Sequence, residues 1–232
     1  MLPIVWIPGH LCGSWLYAAQ LTVFGAGREM ILADTVSDDT IGAMADRLIA
    51  AAPERFVLAG LSMGGMVAME VLARAPERVA GAALMDTDPT PARAKEIAWR
   101  EGLLAGTAED GFEVYVDTFV GRFYLHSPTA AERLGPLTRK MMAETPIPVA
   151  RAQARALDTR REIVPLIEGF GGAVEVIVGA EDKVCPPLLH GPLAKALPRA
   201  VLTEVPGCGH LATVEAPDQI NTRIAALLDR IG

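Results

Sequence analysis

Six short runs rich in β-forming residues alternate with helix-like segments along much of this chain. The runs lie at about 2–7, 29–33, 55–60, 79–85, 174–179 and 200–205. Two of them, Val79–Met85 and Val174–Val178, show little alternation of polar and apolar residues, which is typical of strands buried on both faces of a sheet. The segments between them predict helices at about 40–52, 63–75, 187–197 and 215–230. This pattern predicts an α/β fold with a mostly parallel sheet of about six strands, covered by helices on both faces.

The regular alternation stops between Asp88 and about Gly172, where glycines and prolines separate several helix-like segments. We therefore predict an α/β core formed by 1–87 and 173–232, with 88–172 inserted as a helical cap. Aromatic residues at helical spacing usually pack in a core, but those of the cap could also line a substrate pocket. They are Trp99, Phe112, Tyr115, Phe119, Phe123 and Tyr124.

Charge and hydropathy limit the kinds of partner. The chain has 232 residues, of which 51% are apolar, and carries a formal charge of −7. Nucleic acids and anionic membranes attract basic surfaces, so neither is expected as the main partner, and a small neutral or mildly polar ligand is favoured. The N-terminus lacks the pattern of a secretory signal, and charged residues interrupt every long apolar run, so a cytoplasmic protein without a membrane anchor is expected. The oligomeric state is not predicted.

No cofactor or metal is predicted. The three cysteines, Cys12, Cys185 and Cys208, form no CxxC pair and are expected to be reduced thiols that pack as small apolar residues. No HExxH motif is present. The segment Gly25–Gly27 lacks the third glycine of a dinucleotide-binding fingerprint and follows no clear strand, so we interpret it as a turn.

The strongest indication of chemistry is the segment Gly60-Leu61-Ser62-Met63-Gly64. It follows the apolar run Phe56–Ala59 and opens a helix-like stretch, so Ser62 is predicted to lie on a sharp strand-to-helix turn. Glycines two residues on either side suit a strained and crowded backbone. Such a turn exposes a serine as a nucleophile.

A serine nucleophile needs a histidine to take its proton and a carboxylate to orient that histidine. His210 follows the last predicted strand, and Asp182 follows the strand at 174–179, so both should reach the same sheet edge as Ser62. The order Ser62, Asp182, His210 is the order found in α/β hydrolases. Asp86, at the end of the strand 79–85, remains an alternative acid.

Over essentially its whole length the chain resembles the α/β-hydrolase superfamily, through the segments Gly60–Gly64, Gly179–Asp182 and Gly207–His210. The resemblance implies a serine hydrolase with a GxSxG nucleophile elbow and a lid where the cap is predicted. It favours Asp182 over Asp86 as the acid. The family's usual first two antiparallel strands are expected to be absent.

The resemblance also implies an oxyanion hole. One donor is the backbone N–H of the residue after the nucleophile, Met63. The second comes from the loop after the first parallel strand, where the family carries His-Gly-X and this chain carries Pro8-Gly9-His10. By this match His10 donates its backbone N–H, with Leu11 as the alternative. We expect substrate contacts from four residues: Leu11, Trp99, Phe119 and Tyr124.

The function that follows is hydrolysis of a small carboxylic ester through an acyl-enzyme. The same fold and triad also support lactonase, amidase, C–C bond hydrolase or lyase chemistry, and a ligand-binding protein without turnover is an alternative of another class. His126 and His190 are expected at the surface. Four arginines near the end of the cap usually mean a solvated face, although they could bind an acidic substrate: Arg151, Arg155, Arg160 and Arg161.

Overall fold

The computed structural model describes residues 1–231, apart from the side chains of 108–110. Six strands form one sheet in the order β2-β1-β3-β4-β5-β6, and every neighbouring pair is parallel. The strands are β1 (Ile4–Ile7), β2 (Met30–Leu32), β3 (Phe56–Leu61), β4 (Val79–Met85), β5 (Ala173–Gly179) and β6 (Ala200–Val205). The predicted α/β fold is confirmed, and each predicted strand end lies within two residues of the observed one.

Helices cover both faces of this sheet. They are α1 (Ala18–Phe24), α2 (Ile41–Ala51), α3 (Met63–Arg74), α4 (Ala94–Asp110), α5 (Phe112–Phe119), α6 (Pro128–Ala143), α7 (Ile147–Asp158), α8 (Val164–Ile167), α9 (His190–Ala196), α10 (Ala212–Glu215) and α11 (Pro217–Ile231). A π-helical turn, Val120–Tyr124, follows α5, and a 3₁₀ turn, Ser14–Tyr17, precedes α1. The helical segment from Ser14 to Phe24 was not predicted from the sequence.

The core has two parts because side chains of adjacent strand residues point to opposite faces of the sheet. On one face, Trp6 and Val57 pack with the apolar side of α11 and with residues of α5 and α6. On the other face, Val5 and Leu58 pack with α2, α3 and α9. All seven residues of β4 and all seven of β5 are buried, as the lack of polar–apolar alternation in their sequences predicts.

The sheet also buries a charged residue. Glu175 in β5 is fully buried, and it accepts hydrogen bonds from Arg223 at 2.8 and 2.9 Å and from Arg230 at 2.7 Å. Both arginines belong to α11. A buried carboxylate is tolerated when it is paired in this way, so the charge joins α11 to the sheet.

Helices α4 to α8 occupy the predicted cap interval between β4 and β5, and α8 packs against α3 and α9. Gly25–Gly27 lies in a turn, as predicted. The loops that follow β1, β3, β4, β5 and β6 leave the same edge of the sheet, because all the strands run in one direction. Within the described part of the chain, no helix combines the length and apolar character needed to cross a membrane.

Candidate active site

Ser62 connects β3 to α3 in a backbone conformation that residues other than glycine rarely adopt, with φ 57° and ψ −118°. The flanking glycines leave no room for side chains. A Cβ atom on Gly60 would lie 2.3 Å from the carbonyl oxygen of Gly64, and one on Gly64 would lie 1.8 Å from that of Ile7. The sharp turn therefore depends on both glycines, and it places Ser62 at the carboxyl edge of the sheet.

The structure brings together the three residues that the sequence predicts as a triad. Oγ of Ser62 lies 2.9 Å from Nε2 of His210, and Nδ1 of His210 lies 2.9 Å from Oδ2 of Asp182. An ionised carboxylate only accepts hydrogen bonds, so Nδ1–H donates to Asp182 and Nε2 accepts from Ser62. All three residues are buried, and Ser62 is the most exposed at 7%. This arrangement can move a proton from Ser62 to His210.

Backbone hydrogen bonds hold the acid and the base in place. Oδ1 of Asp182 accepts the N–H groups of Val184 at 2.7 Å and Cys185 at 2.9 Å, so Oδ2 is directed to the imidazole. The backbone N–H of His210 donates to the carbonyl oxygen of Tyr124 at 3.0 Å, and the two rings are 5.1 Å apart. The π-helical turn that ends at Tyr124 therefore contacts the predicted base directly.

Asp86, the alternative acid, has other partners. Its Oδ1 accepts the N–H of Gly179 at 2.8 Å and its Oδ2 accepts the N–H of Ala212 at 3.3 Å. Burial and the nearby charge of Asp182 raise the pKa of Asp86 well above its usual range. Asp86 thus joins the end of β5 to the segment after His210, whereas the carboxylate bonded to His210 belongs to Asp182.

Thr87 hydrogen-bonds both to Ser62 and to His190. The Thr87 hydroxyl donates to the carbonyl oxygen of Ser62 at 2.8 Å, and its N–H donates to Nε2 of His190 at 3.1 Å. Nδ1 of His190 lies 3.3 Å from the carbonyl oxygen of Pro186. His190 is fully buried, which corrects the expectation of a surface residue, and burial lowers its pKa. A neutral ring can accept from Thr87.

His126 is half-buried rather than at the surface. Its Nδ1 lies 2.6 Å from Oε2 of Glu215, and its Nε2 lies 2.9 Å from Oγ of Ser127. This resembles the arrangement around Ser62, but Ser127 has the relaxed φ of −147° and caps α6 by accepting the N–H of Ala130. Oε1 of Glu215 also accepts the N–H of Gly209, the residue before His210. His126 and Glu215 therefore join the predicted cap to the loop that carries His210.

The loop after β1 lies against Ser62. A Cβ atom on Gly9 would lie 3.3 Å from that of Ser62, so the chain passes the predicted nucleophile closely. Among the described residues, the backbone N–H groups of His10 and Met63 have no hydrogen-bond acceptor. The N–H of Leu11 donates to Oε1 of Gln153 at 2.9 Å. Two N–H groups, those of His10 and Met63, thus remain available to an oxyanion.

The imidazole of His10 is neutral. Its Nε2 lies 3.3 Å from the hydroxyl oxygen of Tyr115, and its ring contacts the edge of Phe119. Burial, aided by the positive charge of Arg100, lowers the pKa of His10 to about 3. The ring therefore forms part of the wall of the site without carrying a charge.

A cavity of about 220 Å³ opens onto Ser62. Its wall includes the three aromatic residues that were expected to contact substrate, which are Trp99, Phe119 and Tyr124. Phe123 also lines the cavity. Leu11 is not among the residues that line this cavity, and its side chain packs in the core, so the structure gives no support to a substrate contact from Leu11. The wall also carries Arg160 and four charged side chains that were not expected at a pocket: Asp88, Glu96, Arg100 and Lys183.

The four arginines near the end of the predicted cap all contact protein groups. Arg155 binds Asp39 at 3.2 Å and Arg161 binds Glu70 at 2.6 and 2.8 Å. Arg160 binds Asp88 and Glu96, and Arg151 donates to Leu104 and Thr107. These contacts favour a structural role for the four side chains over the binding of an acidic substrate.

One group of side chains has the composition of a metal site. Asp182, Cys185 and His210 each place a potential ligand atom within 4.8 Å of the others. Asp182 and His210 are already hydrogen-bonded to each other, and burial raises the pKa of the Cys185 thiol well above its usual range. A thiol binds metals as the thiolate, so protonated Cys185 is a poor ligand and the geometry favours a proton-transfer chain.

Comparison with known proteins gives a consistent result. A model of the alpha/beta hydrolase family matches residues 4–223. A pimeloyl-[acyl-carrier protein] methyl ester esterase of Nitrosomonas europaea is 28% identical over 223 residues, covering 91% of this chain and 84% of the relative. A Mycobacterium tuberculosis protein named as a non-heme bromoperoxidase, BpoC, is 29% identical over 179 residues, covering 74% of this chain. The match spans 66% of that relative, slightly less than two thirds of its length.

Among solved structures, a malate-bound thermophilic esterase from Thermogutta terrifontis matches with a TM-score of 0.86. The two sequences are 22% identical, and the match covers 100% of this chain and 90% of the esterase. At this identity the likeness shows a shared fold.

Proposed function

Because the chain belongs to the alpha/beta hydrolase family, we propose that it is a serine hydrolase that cleaves a small carboxylic ester through an acyl-enzyme. The observation that carries this proposal is the hydrogen-bonded chain from Ser62 through His210 to Asp182. Ser62 faces a cavity, and its hydroxyl is bonded to the imidazole nitrogen that accepts its proton. The named esterase of N. europaea supports an ester as the substrate class.

In the first half of the reaction, Nε2 of His210 takes the proton of Ser62 as Oγ attacks the ester carbonyl carbon. Asp182 stabilises the resulting imidazolium through Nδ1–H. The tetrahedral intermediate collapses as the bond to the alcohol oxygen breaks, and His210 gives its proton to that oxygen. The acyl group remains on Ser62.

In the second half, a water molecule gives a proton to Nε2 of His210 and attacks the acyl carbon. The bond to Oγ of Ser62 breaks, the proton returns to Ser62, and the carboxylic acid leaves. Both tetrahedral intermediates carry a negative oxygen. The N–H groups of Met63 and His10 are the proposed donors to it, and such a donor contributes about 10²–10³ in rate.

The second donor is assigned to His10 rather than Leu11 because the Leu11 N–H is bound to Gln153. Gln153 is buried, and its Nε2 donates to the carbonyl oxygen of Thr35 at 3.1 Å, which fixes the orientation of its amide. Gln153 therefore holds the loop after β1 while the N–H of His10 stays available.

The size of the cavity favours a small substrate. Cavities that take drug-sized ligands have volumes of about 300–1,000 Å³, whereas this one has about 220 Å³. Its apolar wall, which includes Met66, Phe119 and Leu157, suits a short hydrocarbon chain next to the ester group.

The test is hydrolysis of p-nitrophenyl esters from acetate to decanoate by wild type and Ser62→Ala. We expect turnover of the shorter esters by wild type and a loss of at least 10³-fold in Ser62→Ala, in the range known for removal of a triad member. Absence of turnover by folded wild type on this panel and on lactones and amides would contradict hydrolase function and support a binding protein.

A further inference from the structure

Arg100 is a buried cation in the wall of the cavity, and one of its nitrogens is unused. Only 8% of the residue is exposed. Its Nε lies 3.0 Å from Oδ1 of Asp158, and its Nη2 binds the same oxygen. Among the described residues, Nη1 has no hydrogen-bond partner. Nη1 is not one of the buried polar atoms that lack a partner, so it is accessible and can still bind an acceptor.

Arg160, the other arginine of this wall, has no such capacity. Its Nε donates to the carbonyl oxygen of Leu157 at 3.1 Å, its Nη1 to Asp88 at 3.2 Å, and its Nη2 to Glu96. Arg93 binds the same two carboxylates. The acidic groups of the wall are therefore neutralised by arginines other than Arg100.

Lys183 adds a further positive charge. It is exposed, lines the same cavity next to Asp182, and has no ion-pair partner within 4 Å among the described residues. The wall thus contains three cations, Arg100, Arg160 and Lys183, and two carboxylates. Arg100 and His10 both line the cavity, and Arg100 lies close enough for its charge to help lower the pKa of His10.

We propose that the cavity takes esters that carry a second, anionic group, and that this group binds Nη1 of Arg100. The half ester of a short dicarboxylic acid is the simplest substrate of this class. Hydrolysis of such an ester rests on the proposed function, but its binding does not. Charge-assisted hydrogen bonds between a guanidinium and a carboxylate are about twice as strong as neutral ones, and burial strengthens them. Lys183, at the exposed side, attracts the anion.

Two esters of nearly equal size and shape show how much the charge of a ligand contributes to its binding. Monomethyl succinate carries a carboxylate where methyl 4-methylpentanoate carries an isopropyl group, so the two esters differ mainly in charge. Binding of each is measured by calorimetry with Ser62→Ala, which cannot form an acyl-enzyme. Arg100→Gln is then added to this protein, and Arg155→Gln, an exposed arginine paired with Asp39, is the matched control.

We expect Ser62→Ala to bind monomethyl succinate at least 10-fold more tightly than its neutral counterpart. Adding Arg100→Gln should reduce this ratio to about one, and adding Arg155→Gln should leave it unchanged. Equal affinity for the two esters, or a ratio that survives Arg100→Gln, would overturn the proposal.

Arg100→Gln could also disturb folding, because Asp158 would lose its partner. Wild type gives an independent measurement, the ratio of kcat/KM for the same two esters at low and high salt. A preference of at least 10-fold for the half ester that falls with salt supports the anion site, and equal values overturn it. If neither ester is hydrolysed while Ser62→Ala still prefers the half ester, hydrolase function fails and the anion site stands.

Discussion

The hydroxyl of Thr87 donates a 2.8 Å hydrogen bond to the carbonyl oxygen of Ser62. Thr87 follows β4, and its side chain packs against Gly65 so closely that a Cβ atom on Gly65 would lie only 2.6 Å from the Cβ atom of Thr87. The predicted nucleophile is therefore held from the neighbouring strand as well as by its own turn. Because the backbone of Ser62 has a positive φ, this bond helps to maintain a conformation that residues other than glycine rarely adopt.

Thr87→Val removes this bond and keeps the shape of the side chain. We expect kcat to fall about 10-fold with KM within about 3-fold, since Ser62 is displaced while the cavity is unchanged, and a stability loss of about 1 kcal/mol. Thr87→Ser keeps the hydroxyl and should retain most of kcat. Steady-state kinetics and urea unfolding check both variants, and equal kcat for Thr87→Val and wild type would contradict this role.

Asp182→Asn should lower kcat by about 10³–10⁴-fold. An asparagine side chain does not hold His210 in the tautomer whose Nε2 can accept the proton of Ser62. Asp86→Asn should have a smaller effect, of about 10-fold, because Asp86 binds backbone N–H groups and not His210. Pre-steady-state kinetics with p-nitrophenyl acetate compares the two variants. A larger loss in Asp86→Asn would reverse the assignment of the acid.

His10 should make the protein less stable in acid. Its pKa is about 3 in the folded protein and 6.5 in the reference state, so the unfolded chain binds the extra proton as pH falls below 6.5. Stability from neutral His10 is therefore present above pH 6.5 and is lost as pH falls toward 3. Between pH 7.5 and 5 this loss amounts to about 2 kcal/mol.

His10→Gln removes this titration. The difference in free energy of unfolding between wild type and His10→Gln should therefore shift by about 2 kcal/mol, in favour of the variant, from pH 7.5 to pH 5. Urea unfolding at the two pH values measures it. A difference that stays constant would show that the pKa of His10 is not lowered by folding.

Gly64→Ala should disrupt the turn at Ser62, because the added methyl group would lie 1.8 Å from the carbonyl oxygen of Ile7. We expect a stability loss of more than about 3 kcal/mol and loss of activity. Gly102→Ala is the control, since a Cβ atom there meets nothing within 4 Å in α4 and should stabilise the helix by up to about 1 kcal/mol. Thermal unfolding of both variants tests this, and a folded, active Gly64→Ala protein would refute it.

The sheet and the triad geometry follow closely from the sequence, because strands buried on both faces have continuous apolar sequences and a nucleophile turn needs closely spaced glycines. Ser62, Asp182 and His210 each follow a strand, so parallel strands bring them to one edge. The position of each of these residues after a strand can be predicted from the neighbouring sequence. Their catalytic roles remain a proposal.

The residues that the sequence did not place depend on contacts between distant segments. His190 shares a helix face with the buried Leu193 and Leu197, a spacing that does indicate burial, but its partner Thr87 is 103 positions away. Arg100 has the sequence of an ordinary helix surface, and only the packing of α4 against α7 turns it toward the cavity. The core position of Leu11 was not predicted because its positive φ and its bond to Gln153 are tertiary features.

The activation of Ser62 as a nucleophile is tested by covalent labelling with a fluorophosphonate, followed by mass spectrometry of the intact protein and its peptides. Ser127→Ala is a matched control, because Ser127 also contacts a histidine that is bonded to a carboxylate. We expect one phosphonyl group on Ser62 in wild type and Ser127→Ala, and no label in Ser62→Ala. Labelling that persists in Ser62→Ala, or wild-type protein that stays unlabelled while folded, would contradict the assignment of Ser62 as an activated nucleophile.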